Sequence, residues 1–454
     1  MVTKLFQKSL STGTIPSDWS KANVTPLFKK GDKSNSANYR PISLTCILCK
    51  LMEHIIASNI TKHFQVNNIL FHLQHGFRSK RSCETQLIGL VEDPARKIIQ
   101  GHQIDLILLD FSKAFDKVNH LKLLYKLHQH GIQDTTLQWV KSFLIGRRQS
   151  VLVNGDTSDE VPVTSGVPQG SVLGPLLFLL YINDLPENIV SQVRLFADDT
   201  AVYLTVNSST QQQTLQEDLN RLQKWEHAWD MEFNPSKCTV LCITRSKHPF
   251  KSTYKLHGQT LETVSDAKYL GVNISSDLNW NKHVQNVTTS ASKTLNFIKR
   301  NIPTKQQNIR EFAYKTLVRP QLEYCSSVWS PHTQSNIHKI EMVQRRAARW
   351  VTHDYSHYSS VTEMLNLLKW RSLENRRSDA RILIFYKIIH GLVAVPMPPY
   401  ICKPSRLTRH MHPLSYRQIQ TPCNYYKFSF YPASIILWNS LPPDIAQANL
   451  PGPI

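Results

Sequence analysis

The chain carries 53 Lys and Arg against 33 Asp and Glu over 454 residues, a formal net charge of +20. Its 41% hydrophobic and 9% aromatic content supplies a packed core and excludes a disordered polybasic chain, and its length suits roughly two to four domains. The longest apolar run, Val172 to Ile182, holds Gly174 and Pro175 and falls well short of the roughly 20 residues of a membrane helix, so no membrane partner is expected. The N-terminus, MVTKLFQKSLSTGTIPSDW, lacks the continuous apolar stretch of a secretory signal. Eight scattered cysteines point to a reducing, intracellular setting rather than a disulfide scaffold.

In chain order, the first hundred residues read as loops and helices, punctuated by Pro16, Pro26 and Pro41, with helical apolar spacing over Cys46 to Ile60. Ile104 to Leu109 (IDLILL) is an apolar run of strand length ending in Asp110, which suits a buried central strand. Helical sequence follows from Val118 to Leu144, broken near Gly131. Ser150 to Asn154 and Glu160 to Val163 flank Gly155-Asp156 as two strands of a hairpin would. The Gly/Pro-rich loop SGVPQGSVLGP opens an apolar helix over Leu176 to Asn183. Val193 to Phe196 and Thr200 to Leu204 are strands around the tetrad Phe196-Ala197-Asp198-Asp199. Thr214 to Trp229 is helical, whereas Thr239 to Thr244 and Tyr269 to Ile274 are each single strands. Strands and helices alternate without repeating βαβ units, so the class is α+β.

The positive excess is uneven. Up to residue 280 there are 30 basic and 25 acidic residues, and after it 23 and 8. This describes a nearly balanced body followed by a helical, basic region whose natural partner is a polyanion, nucleic acid first. In Ile337 to Val351 the apolar residues share one helical face while Arg345, Arg346 and Arg349 project from the other, as a phosphate-binding face or as solvated arginines on a core helix. Leu392 to Pro399 reads as a linker into a small terminal region.

Adjacent Asp198 and Asp199 in an apolar strand setting, with Asp110 ending another strand, call for positive charge between them. Neighbours on an extended strand point to opposite faces, but a tight hairpin lets both approach one cation. Oxygen-only ligands suit Mg2+, and Asp110, Asp198 and the backbone carbonyl of Phe111 are the expected ligands of two ions, with Asp199 a third carboxylate; Mn2+ is an alternative. Asp-Asp pairs also occur in ordinary turns.

Taken together, FADD (Phe196 to Asp199), LLDFSKAFDKVNH (Leu108 to His120) and SGVPQGSVLGPLLFLLYINDL (Ser165 to Leu185) resemble the reverse transcriptase of non-LTR retrotransposons of the LINE type, in particular the jockey-like group. IPSDWSKANVTPLFKKGDKSNSANYRPISL and QHGFRSKRSCETQL resemble its upstream blocks, and FNPSKC and YLGV its last two polymerase motifs. LVRPQLEYCSSVWSP, VQRRAARW and FYPASIILWNSLPP are similar to the region after the polymerase.

The resemblance implies an RNA-directed DNA polymerase with a right-hand fold: fingers mainly over 1–100, a ferredoxin-like palm over 101–275, a helical thumb-like region over 276–390 and a C-terminal region over 391–454. It implies that Asp110, Asp198 and Asp199 are the metal triad and that Phe115 crowds the sugar 2′ carbon. Lys29, Lys30 and Arg40 match basic residues that meet the triphosphate, with no choice between the two lysines. Gln169 and Gly170 lie where the loop touches template and nucleotide, Lys237 where a general acid for pyrophosphate is expected, and Tyr269, Leu270 and Gly271 at the primer grip. The implied partners are an RNA template, a DNA primer or target and dNTPs, and the implied location is the nucleus. Cys46 with Cys49, and Cys238 with Cys242, read as core; His410 and His412 near Cys402 and Cys423 do not match zinc-knuckle spacing. Starting at Met1 inside the fingers motifs, the chain is expected to be an N-terminally truncated copy, and a catalytically silent RNA-binding remnant is the competing function.

Overall fold

The computed structural model describes residues 1–408 and 411–448. The elements that position the site are α1 (Val2–Thr12), β1 (Lys21–Phe28), β2 (Tyr39–Leu44), α2 (Ile47–Val66), α3 (Cys83–Ile99), β3 (Ile104–Leu109), α4 (His120–Gln129), α5 (Asp134–Leu144) and β4 (Arg148–Val153). After them come α6 (Leu173–Tyr181), β5 (Gln192–Phe196), β6 (Asp199–Thr205), α7 (Ser209–Trp229), β7 (Thr239–Ile243), β8 (Glu262–Val264), β9 (Asp266–Tyr269) and β10 (Val272–Ser275). The rest is helical: α8 (Asn281–Asn301), α9 (Gln307–Ala313), α10 (Gln334–Thr352), α11 (Leu373–Ile389), α12 (Asn424–Lys427) and α13 (Phe430–Asn439). No helix among the described residues is long and apolar enough to cross a membrane.

A central sheet in the order β8-β7-β3-β6-β5 organises the molecule. β3 lies in its middle, antiparallel to both neighbours. Its side chains alternate between two cores, Ile104 and Leu106 on one face, Ile107 and Leu109 on the other. One core is closed by α2 and α4 to α7. The other is shared by α3, the β9–β10 hairpin and the helices that follow it. A second sheet pairs β1 antiparallel with β2 and parallel with β4.

Four expectations are corrected. The first hundred residues contain β1 and β2, in which Pro26 faces Pro41; the β4 pairing of β1 ends at Val24, so neither proline interrupts a ladder on both sides. β4 turns at Asn154-Gly155 directly into Asp156–Thr157 and pairs again with Val161–Pro162, so the hairpin is tighter than expected. Tyr269 to Ile274 is no single strand but the turn of the β9–β10 hairpin, with Leu270 and Gly271 both at positive φ. The segment read as a linker is packed: Val393, Val395 and Met397 lie against the core, and the Ala394 amide donates to the Lys80 carbonyl at 2.8 Å.

The C-terminal segment is stitched to α3 rather than appended. α3 starts at a capping box in which Ser82 and Thr85 satisfy each other's backbone amides. Further along it, the buried Glu92 carboxylate accepts hydrogen bonds from the hydroxyls of Tyr400 (2.7 Å), Tyr426 (3.4 Å) and Ser429 (3.5 Å). The Arg96 guanidinium lies 3.8 Å over the Tyr400 ring. Of the zinc-knuckle residues, His410 lies outside the described residues, and buried His412 meets the Trp438 carbonyl through Nε2 at 2.9 Å. Cys49 is fully buried in the core under α2.

Burial pushes the Glu92 carboxyl up to about 7, against partial relief from the Tyr400 hydroxyl and Arg96. A raised carboxyl pKa stabilises the fold fully below about 4.5 and is lost as pH climbs to about 7. Glu92→Gln, which keeps an acceptor and has no charge to desolvate, should therefore be more stable than the parent at pH 8, by up to about 3 kcal/mol. The advantage should vanish toward pH 4, as read by thermal unfolding across that range.

Candidate active site

The register Leu109↔Thr200 carries β3 and β6 to the same end of the sheet, so Asp110 emerges beside Asp199. β5 and β6 close through the pair Phe196↔Asp199, leaving Ala197 and Asp198 as the whole turn. Two carboxylates separated by no residue thus reach one end of the sheet because the chain reverses between them. Ala197 sits at φ +52°, a left-handed conformation that strains an L side chain by roughly 1 kcal/mol.

What holds that strained turn is the segment from Leu73 to Gly76. Gln74 Oε1 accepts from the Ala197 amide (2.9 Å) and the Gly76 amide (2.7 Å), while its Nε2 donates to the Ala197 carbonyl (3.4 Å). Leu195 donates to the Leu73 carbonyl at 3.1 Å and accepts from the His75 amide at 2.8 Å. A Cβ on Gly76 would stand 2.3 Å from the Ala197 nitrogen, so only glycine permits this approach. Gln74 was not singled out from the sequence; the available signal was a glutamine two residues before a glycine inside the QHGF block.

Asp110 is placed by a second short pairing. The Asn234 amide donates to the Asp110 carbonyl (2.8 Å) and the Ser112 amide to the Glu232 carbonyl (2.7 Å), bridging Phe111 to Phe233. Their rings stack at 4.2 Å. This ladder uses the carbonyls of Asp110 and Glu232 and leaves the Phe111 carbonyl outside it. Lys237 Nζ lies 3.1 Å from Asp110 Oδ1 and is the ion-pair partner of that carboxylate.

The electrostatics are those of a site short of positive charge. Burial is the first cause that raises the Asp198 carboxyl, and the Asp110 charge adds to it; Arg40 and Lys29 oppose both. Asp199 opens to solvent at its edge, yet the protein around it and the charges of Asp198 and Asp110 push it up to about 6, with Lys29 opposing. Lys29 is therefore the lysine that acts on both aspartates. Among the described residues no group of three or more His, Cys, Asp or Glu is gathered tightly enough to hold a metal ion by itself. The residues nevertheless fit divalent cations: all donors are oxygens, and Lys29, Arg40 and Lys237 compensate the like charges only in part.

The loop before α6 is fixed from both sides. His120 Nε2 meets the Gly166 carbonyl at 2.7 Å, and the Val167 amide donates to the Phe115 carbonyl at 2.8 Å. At its far end buried Glu53 of α2 accepts from the amides of Val172 (2.7 Å) and Leu173 (3.0 Å), capping α6. Between these anchors Gln169 donates to Asp116 at 2.9 Å, and its carbonyl accepts from the Ser43 amide of β2 at 2.7 Å. Gly170, at φ +116°, would carry a Cβ 2.6 Å from the Ser43 carbonyl. Glu53 was also not foreseen, although a carboxylate on the apolar face of a helix was the visible signal.

Other expected residues divide. Phe115 is half-buried, stacked on Phe178 at 4.3 Å and edge-on to Phe77. Lys30 is exposed beyond the end of β1. The Tyr269 side chain is buried, receives a hydrogen bond from Gln86 at 3.2 Å and senses the Asp199 charge; Leu270 is half-buried against the core, and Gly271 is exposed at that turn. Tyr324 donates to the Leu270 carbonyl at 3.1 Å. Arg345, Arg346 and Arg349 lie on α10; Arg349 donates to the Ser356 carbonyl, and Arg346 is exposed beside Lys299.

Two outcomes follow from this geometry. Asp199→Asn removes a repelled charge, so thermal unfolding in a metal chelator at pH 8 should show a higher midpoint than the parent; a lower one would remove the electrostatic reading. Gln74→Ala strands two buried amides and should lower stability by roughly 2 kcal/mol in denaturant unfolding.

A family model described as reverse transcriptase (RNA-dependent DNA polymerase) matches residues 28–274, over half of the chain. The chain is 29% identical over 362 residues to the probable RNA-directed DNA polymerase from transposon X-element of Drosophila melanogaster, covering 77% of this chain and 40% of that protein. To the corresponding protein from transposon BS of the same organism it is 28% identical over 394 residues, covering 82% and 43%. To the RNA-directed DNA polymerase from mobile element jockey, also of Drosophila melanogaster, it is 29% identical over 362 residues, covering 77% and 39%. The chain spans about two fifths of the length of these curated relatives. Its mixed sheet-and-helix architecture fits a right-hand polymerase, and the chain belongs to the reverse transcriptase family.

Proposed function

We propose that the chain extends a primer 3′-hydroxyl with dNTPs on an RNA template, as the polymerase of a non-LTR retrotransposon. The observation that carries this is the pair of desolvated carboxylates Asp198 and Asp199, which repel each other and are repelled by Asp110, beside the cationic Lys29 and Arg40. In this reading residues 1–100 are mainly fingers, 101–275 mainly palm, 276–390 a thumb-like region and 391–454 a C-terminal region.

Asp110, Asp198, Asp199 and the Phe111 carbonyl would hold two Mg2+ ions, which supply Lewis-acid activation of the primer hydroxyl and charge neutralisation at the leaving group. Lys29 and Arg40 bind the triphosphate from the β1–β2 side, with Lys30 at the solvent margin. Phe115, wedged against Phe178, excludes a 2′-hydroxyl by contact. Gln169 and Gly170 seat the templating pair against β2, and the Leu270-Gly271 turn supports the primer. Lys237, paired with Asp110 here, is the group that protonates departing pyrophosphate. Exposed Arg346 and its neighbours on α10 contribute to duplex binding through phosphates.

In primer extension on an RNA template with Mg2+, the parent should incorporate dNTPs and Asp198→Ala should lose at least about a thousandfold in rate. No incorporation by the parent with any divalent metal would instead favour a silent RNA-binding remnant. Phe115→Val should raise ribonucleotide incorporation relative to deoxynucleotide, measured as a ratio of kcat/KM values.

A further inference from the structure

Segments from several parts of the chain after the catalytic carboxylates, among them the end of the LVRPQLEYCSSVWSP block, line a cavity of about 440 Å³ that has no part in the chemistry above. Its wall is built where three segments meet: the start of α8 at Trp280, the end of the SSVWSP block at Ser330 to His332, and α12 with Tyr425 and Phe428. Arg245, two residues past β7, closes one side. Because Ile243 pairs with Ile104 at the start of β3, whereas Asp110 follows its end, the cavity lies at least five ladder steps, about 17 Å, from the carboxylates. It is a separate site.

Its chemistry is planar and cationic. His332 and Phe428 stack at 4.4 Å with planes 3° apart, forming a rigid aromatic wall. The Arg245 guanidinium lies 4.4 Å over the Tyr425 ring. Arg245 is exposed and, among the described residues, makes no direct ion pair; it senses the Asp277 carboxylate, which Ser275 and Asn279 hold by hydrogen bonds, so its donors remain for an outside acceptor. Trp280 is half-buried, and its indole N–H meets no acceptor among the described residues. A volume of this size holds one nucleobase with its ribose. Flat apolar surfaces, one unpaired N–H and a guanidinium on a ring are the elements by which proteins hold an unstacked base and its phosphate. A peptide partner would make little use of two stacked planes beside a free guanidinium.

We propose that this cavity binds an unstacked nucleotide of single-stranded RNA, the base against Trp280 and the Arg245–Tyr425 pair and the phosphate on Arg245. The site tethers an unpaired stretch of the RNA away from the catalytic carboxylates. The proposal rests on the polymerase reading only for the choice of RNA, and its test does not require catalysis.

The test is fluorescence anisotropy of the full chain with a short labelled single-stranded RNA, without dNTPs. Arg245→Ala and Trp280→Ala should each weaken binding about fivefold or more, and Trp280→Phe should retain it. An abasic RNA of equal length should bind the parent more weakly than the base-bearing one. Parent-like RNA affinity in both alanine variants overturns the proposal and turns the cavity over to another class of ligand. Equal affinity of the parent for abasic and base-bearing RNA overturns it even where a Trp280 variant fails to fold. Loss of incorporation by the parent in the extension assay concerns the polymerase reading alone.

Discussion

Three carboxylates stand at one end of an apolar sheet, and their mutual repulsion is the constraint around which the surrounding structure is arranged. Asp198 occupies a turn only two residues long, next to an alanine held in a left-handed backbone conformation. The pair Phe196↔Asp199 closes the turn but does not relieve the conformation of Ala197. It persists because Gln74 meets both backbone polar groups of Ala197 and because Gly76 is small enough to lie against them. The same logic recurs one layer out, where Glu53 caps α6 and so sets the end of the loop that carries Gln169. Two buried polar side chains, neither near reacting atoms in sequence, thus fix the two turns that matter most. A site built this way trades local stability for preorganisation.

β3 adds a second constraint. Its residues alternate between two complete cores, so both faces of the strand are specified. A slip of one residue would exchange the two sets of side chains and carry Asp110 away from Asp199. Register, and with it carboxylate spacing, is therefore enforced by burial on both sides of the sheet. The helices after residue 280 take part, because one of those cores is theirs as well.

Legibility in the sequence followed the same physics. β3, β5 and β6 were visible because buried strands are short apolar runs with sharp ends, and the helical faces of α2 and α10 because periodicity survives any tertiary context. The family blocks identified the carboxylates. β1 and β2 were hidden, since Pro26 and Pro41 read as breaks until the register places them opposite each other. The β9–β10 turn was hidden because Leu270 takes a positive φ that leucine rarely adopts. Gln74 and Glu53 left only faint marks: their roles lie in contacts of 123 and 119 residues of separation, which no local pattern encodes.

The bond between Glu92 and the Tyr400 hydroxyl spans 308 residues. On a ribosome adding roughly 5 to 20 residues each second, that separation is a wait of roughly 15 to 60 seconds between the emergence of the carboxylate and that of its partner. Throughout that interval α3 has an unsatisfied acid facing the place where Tyr426 and Ser429 will later dock. The nascent chain can assemble the face of the sheet lined by α2 and α6 early, while the opposite face stays open until the segment from Tyr400 to Ser429 is made. Synthesis order and spatial order therefore run against each other here, and Tyr400, Tyr426 and Ser429 close a core that α3 began some 300 residues earlier.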